Sequence, residues 1–98
     1  MAIEQDIHYK VLGLKKNIVK LAGFGRTLNM SRGGILFTTE TALAAGQRIQ
    51  VSVSWPARLH GVTPLKLVAF GHVVRAEQDQ AAIVIEKHEF KPVGIRGL

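Results

Sequence analysis

The sequence predicts an all-β fold, a small barrel or sandwich, and two observations carry the prediction. Apolar and polar residues alternate with period two along nearly the whole chain, and the alternating runs are rich in β-branched residues. Glycines and polar clusters punctuate these runs at regular spacing, and no stretch shows a convincing amphipathic helix.

Ile7, Tyr9 and Val11 alternate with His8 and Lys10 and form the first strand. "GLKKN" is a polar turn. "IVKLAGFG" opens a second strand, in which Gly23 and Gly25 suggest a bulge or a close backbone approach. "RTLNM" continues it, and "NMSRGG", Asn29 to Gly34, turns it into the strand "ILFTTE". "ALAAGQ" is a loop or one helical turn, too short for a stable helix. In "RIQVSVSW", Ile49, Val51, Val53 and Trp55 share one face, with Gln50, Ser52 and Ser54 on the other, and Pro56 is expected to end the strand. "PARLHGVTP" reads as a loop bounded by prolines. "LKLVAFGHVVRA" is a long strand kinked at Gly71, "EQDQ" a turn, and "AAIVIEKHEF" the last strand. The expectation is one domain over residues 1–98, with a core of about 7–90 and a glycine-containing tail at 91–98.

A chain of 98 residues with 47% hydrophobic and 20% charged residues fits one small globular domain. The absence of cysteine excludes disulfides, thiolate zinc sites and a cysteine nucleophile, and fits a reducing compartment. The N-terminus "MAIEQDIHYK" has no signal-peptide pattern, and no apolar run approaches the ~20 residues that span a bilayer. These features predict a soluble, cytoplasmic domain without membrane insertion. The formal net charge of +6 and pI of about 10.2 suit an anionic partner, though they serve solubility equally well.

No catalytic constellation is visible. His8, His60, His72 and His88 show no metal-ligand spacing, and the strand histidines read as surface or half-buried residues. Glu77 and Asp79 fall in a turn, where acids are common. There is neither a GxSxG elbow nor a P-loop. The expectation is a binding protein and not an enzyme, with no metal and no cofactor.

The turn "NMSRGG" carries the most chemistry. Asn29 and Ser31 are two apart and point the same way on a strand, so an amide and a hydroxyl face one ligand edge. Arg32 adds a guanidinium suited to a phosphate or a guanine edge. Gly33 and Gly34 allow positive φ and a close approach of backbone N–H groups. The residues alone leave two readings open, a plain hairpin loop and a ligand-binding turn.

The stretch "GRTLNMSRGGILFTTETALAAGQRIQVSVSW" resembles a PilZ domain. That family carries Asp or Asn, any residue, Ser, any two residues, then Gly; Asn29, Ser31 and Gly34 match position by position. "LAAGQRIQVSV" resembles the family's short segment leading into the next strand, and "GHVVR" with the strand after it resembles the final hairpin. The resemblance covers roughly residues 7 to 90. It implies an all-β, six-stranded antiparallel barrel in a bacterial, cytoplasmic setting. It also implies binding of the second messenger cyclic di-GMP, with Asn29 and Ser31 on a guanine and Gly34 shaping the loop.

The family's second motif, Arg, three residues, Arg, precedes the first strand and grips the phosphates. No RxxxR occurs in this sequence, and "MAIEQD" stands before the first strand. Losing two charged hydrogen-bonding arginines costs about 3–6 kcal/mol. At 1.4 kcal/mol per decade, a micromolar binder falls to roughly the millimolar range. Lys10, Lys15, Lys16, Lys20, Arg26, Arg32, Arg48 and Arg58 supply other cations, and Arg26 is the best placed substitute. Two accounts stand: a degenerate member acting through protein contacts, or a piece of a longer protein carrying RxxxR upstream.

Three functions therefore compete. The first is a cyclic di-GMP module with weakened or absent nucleotide binding. The second is an adaptor of the same fold that docks on a partner protein or another domain. The third, a nucleic-acid-binding barrel, is disfavoured because aromatics are only 6% and mostly on apolar strand faces, while single-strand binders expose them for stacking. Trp55 reads as a core anchor at a strand end. An exposed edge strand could pair two copies into a homodimer, as in barrels that are not fully closed.

Overall fold

The computed structural model describes residues 4–13, 18–59, 61 and 63–93; Lys15, Lys16, His60, residues 94–98 of the tail and the side chain of Arg58 lie outside that description. Six strands follow in chain order: β1 Asp6–Leu12, β2 Val19–Ser31, β3 Gly34–Thr38, β4 Arg48–Leu59, β5 Thr63–Ala76 and β6 Gln80–Pro92. They form a closed antiparallel ring in the order β1-β2-β3-β6-β5-β4, sealed by the β1–β4 pairing from Leu12↔Arg48 to Ile7↔Val53. The "ALAAGQ" segment is loop, with its turn at Gly46 in the left-handed region (φ 94°).

The alternation seen in the sequence fills the ring. Ile7, Tyr9 and Val11 of β1, Ile49, Val51 and Val53 of β4, and Ile35 and Phe37 of β3 are buried inside. Burying a large apolar side chain contributes about 1.5–3 kcal/mol, so this interior is the main source of stability. Tyr9 lies 5.7 Å from Phe37, ring centroid to centroid, and its hydroxyl accepts the Glu40 backbone N–H at 3.0 Å. Gly23 makes room for that hydroxyl, because a Cβ there would strike the Tyr9 ring.

Strand β2 slips register twice, at Lys20 against β1 and again just before its turn against β3. Gly23 and Thr27 face inward, then Met30 does, because the register slips between Thr27 and Asn29 in pairing with β3. Leu28 is the extra residue of this bulge. Were β2 to run through Leu28 without this bulge, the odd-numbered phase would carry Asn29 and Ser31 into the barrel. With it, both are exposed and Met30 fills the interior. Gln5 brackets the bulge: its N–H donates to Thr27 Oγ1 at 2.9 Å, and its carbonyl accepts the Thr27 N–H at 2.8 Å.

Three strands outrun the ring. The β1–β4 pairing stops at Val53 and the β3–β6 pairing at Val84, but β4–β5 pairing reaches Leu59↔Thr63 and β5–β6 pairing reaches Leu65↔Pro92. An arm of β4, β5 and β6 thus overhangs the barrel end that carries the β2–β3 turn. The closed ring leaves free edges where strands outrun their partners: among the described residues, along this arm and on the β1 side of β2 past Arg26.

Other expectations need correction. Pro56 does not end its strand, since β4 continues to Leu59 with a register slip between Trp55 and Arg58. Past Val53 one edge of β4 has no partner strand among the described residues, and a missing N–H is tolerated on such an edge. The proline-bounded loop is correspondingly shorter, because β5 begins at Thr63. The irregularity at Gly71 is a bulge whose extra residue, Glu86, belongs to β6. The aromatics are not all on buried faces: Phe24 is 65% exposed and stacks on His8 at 4.5 Å.

Candidate functional site

The β2–β3 turn is closed by the pair Ser31↔Gly34, with Arg32 and Gly33 at its tip. Neither Gly33 nor Gly34 has positive φ, which corrects the expectation of left-handed glycines in this turn. Gly34 serves close approach instead. A Cβ there would sit 2.7 Å from the Ile83 carbonyl oxygen, whereas at Gly33 it would meet nothing within 4 Å. The turn is tied to the arm by the Ile85 N–H, which donates to the Gly33 carbonyl at 2.9 Å.

Between the turn and the arm lies a groove of about 560 Å³. Ser31 and Arg32 line it from the turn, and Met30 and Leu67 from the barrel end. Trp55, Ile85, His88 and Phe90 line it from the arm. The strand register explains this convergence. Trp55 pairs with Leu65, Leu67 with Phe90 and Ala69 with His88, so these side chains extend the barrel's inner face past its rim. The Trp55 and Phe90 rings meet edge to face at 4.9 Å and 70°, and His88 lies 6.3 Å from Phe90. Phe90 stays 47% exposed.

The polar side is open for a ligand. The Ser31 hydroxyl reaches the Gly34 carbonyl only at 3.5 Å, too long to hold it. Arg32 is exposed and has no ion-pair partner among the described residues. An exposed guanidinium opposite an aromatic corner suits a ligand that is planar at one end and anionic at the other.

The remaining expected site residues do not line this groove. Asn29 is exposed on β2 opposite Leu36. Arg26 donates from Nη1 to Asp6 Oδ1 at 2.8 Å and from Nη2 to the Glu4 carbonyl at 3.3 Å. It stands five residues before Ser31, about 17 Å along the strand. Among the described residues, no group of three or more histidines and carboxylates could hold a metal ion. No helix among the described residues is long and apolar enough to cross a membrane.

A family model described as PilZ domain matches residues 8–93, nearly the whole chain. The chain belongs to the PilZ family. No curated protein and no solved structure matches it. Within this PilZ domain, the matched motif residues Asn29, Ser31 and Gly34 sit at the bulge and turn just described. Trp55, His88 and Phe90 were missed as site residues in the sequence. Each falls on an alternating strand, where it reads as core or surface, and only the cross-strand register brings them together.

Proposed function

We propose that this PilZ domain is a signalling module whose groove takes cyclic di-GMP through half of a clamp. The observation that carries the reading is the joint lining of one groove by Ser31, an Arg32 with no ion-pair partner among the described residues, and the Trp55–Phe90 corner. Its volume of about 560 Å³ lies within the ~300–1,000 Å³ of small-molecule sites. In this reading Arg32 meets a phosphate, Ser31 a polar base edge, and the aromatic corner a base face. The sequence contains no RxxxR, so affinity is weak, with a dissociation constant of about 1 mM. As in PilZ domains generally, the role is reception and not catalysis.

A titration followed by amide chemical shifts tests this. Cyclic di-GMP is expected to move the signals of Ser31, Arg32, His88 and Phe90 and to saturate near the millimolar range. A sub-micromolar constant overturns the half-clamp, and shifts confined elsewhere overturn the groove.

One observation favours a second reading, an adaptor that docks on another protein. Phe24 is 65% exposed and stacked on His8 on the outer face of β1–β2, away from the groove. No response to cyclic di-GMP at any concentration would favour this role.

A further inference from the structure

We propose that the free edge of β6 on the overhanging arm pairs with the same edge of a second copy, about a two-fold axis at Phe90. Beyond Val84, β6 has no ladder partner on its β3 side, and residues 87–92 pair only with β5 among the described residues. The direction of their backbone groups follows from one bond. Val93 donates its N–H to the Pro64 carbonyl of β5 at 2.9 Å. By alternation along a strand, Lys91, Glu89 and Lys87 direct their N–H and C=O groups to β5. Those of His88, Phe90 and Pro92 then point to the free edge. Pro92, which has no N–H to offer, occupies a position where none is needed for the β5 ladder.

Symmetry and charge select the register. Two identical edges pair isologously only as antiparallel strands. Facing residues must share a face of the sheet, so the axis passes opposite a residue and not between two. An axis at Glu89 sets Lys87 against Lys91 and Glu89 against itself, which is repulsive. An axis at His88 runs Ile85 against Lys91, where the Ile85 N–H is already bonded to Gly33 and the turn blocks the way. An axis at Phe90 clears the turn. It sets Glu89 against Lys91 of the second copy, twice, on the outer face. The two Phe90 rings, each 47% exposed, meet on the groove face.

The pairing forms a reciprocal N–H to C=O exchange at Phe90 and a symmetric pair of bonds from His88 N–H to the Pro92 carbonyl. Edge lysines and prolines ordinarily discourage pairing. Here Glu89 between two lysines makes one register attractive. Glu89 and Lys91 already lie 3.1 Å apart in one chain and are about half exposed, so they join a four-charge cluster without rearrangement.

Sedimentation velocity on the full chain from about 10 µM to about 1 mM tests the pairing, the upper limit suiting a small, weak interface. The mass is expected to rise from 10.7 kDa toward twice that value. Glu89→Lys should abolish the rise by placing lysine on lysine, and the double variant Glu89→Lys/Lys91→Glu should restore it. Amide exchange at His88 and Phe90 should slow with concentration, while that at Glu89 and Lys91 stays unchanged. A monomer throughout overturns the proposal. So does a dimer that survives Glu89→Lys, a double variant that stays monomeric, or exchange at His88 and Phe90 that ignores concentration.

Discussion

The backbone N–H of Ile85 donates to the carbonyl of Gly33 at 2.9 Å, one residue past the last pair of the β3–β6 ladder. That bond holds the tip of the β2–β3 turn against β6 just where the arm leaves the barrel. It therefore fixes the distance between the two walls of the groove, Ser31 and Arg32 on one side, His88 and Phe90 on the other. The site's geometry is a consequence of where the ladders stop, as much as of which residues line it.

The two glycines of this turn are predicted to behave differently. A Cβ at Gly34 would lie 2.7 Å from the Ile83 carbonyl, a backbone atom that cannot rotate away. Gly34→Val should cost about 1–3 kcal/mol by overpacking. For a domain of this size that lowers the melting temperature by about 4–8 °C per kcal/mol. Gly33 has open space and ordinary φ, so Gly33→Ala should change stability by less than about 0.5 kcal/mol. Equal melting temperatures for the two variants would contradict the close approach.

A second prediction concerns the bulge. Deleting Leu28 removes the extra residue and lets Asn29 follow Thr27 in a regular ladder, with Asn29 and Ser31 still outward and Met30 still inward. The deletion is expected to change stability by less than about 1 kcal/mol, read as the urea midpoint. A loss of more than about 3 kcal/mol would mean that Asn29 and Ser31 had turned into the barrel, where each polar side chain buried without a partner costs about 1–3 kcal/mol.

How much of this was legible beforehand depends on the kind of signal. The strands and the interior were readable, because Ile7, Tyr9 and Val11 or Ile49, Val51 and Val53 alternate without interruption. The turn was readable from its residue types. The phase change at Leu28 was not, since "RTLNM" contains no glycine or proline to mark a bulge. A glycine at position 34 points equally to positive φ and to a close approach, and only the structure shows that its role is to let β6 come near; a sequence shows the glycine but not its neighbour. The arm side of the groove depends on pairings such as Leu67↔Phe90, which join residues far apart in the chain. Continuation of β4 through Pro56 depends on an unpaired edge, which only the topology reveals.

Trp55 is the protein's one tryptophan and lines the groove, so its emission is a clean report of occupancy. Cyclic di-GMP should quench or shift that emission over the same concentrations that move the Ser31 and Arg32 amides. Phe24→Ser, on the far face of β1–β2, should leave the response intact. Amide shifts without any change in Trp55 emission would place the ligand outside the aromatic corner.

The last prediction separates the two arginines. Arg26 is engaged by Asp6 at 2.8 Å on the outer face, about 17 Å from Ser31 along β2. That ion pair is exposed, with side chains 52% and 76% accessible, so it contributes at most about 1 kcal/mol. Energy alone does not prevent Arg26 from leaving Asp6; distance does prevent it from reaching the groove. Arg26→Ala should therefore alter cyclic di-GMP binding by less than about twofold. Arg32 faces the groove with no competing carboxylate among the described residues. Arg32→Ala removes a charged hydrogen bond of about 1.5–3 kcal/mol, a loss of about tenfold to a hundredfold in affinity. Raising the salt concentration should weaken the wild-type protein more than Arg32→Ala, because only the former retains the phosphate contact. If Arg26→Ala weakens binding and Arg32→Ala does not, the ligand lies along the outer face of β1–β2 and the groove is not its site.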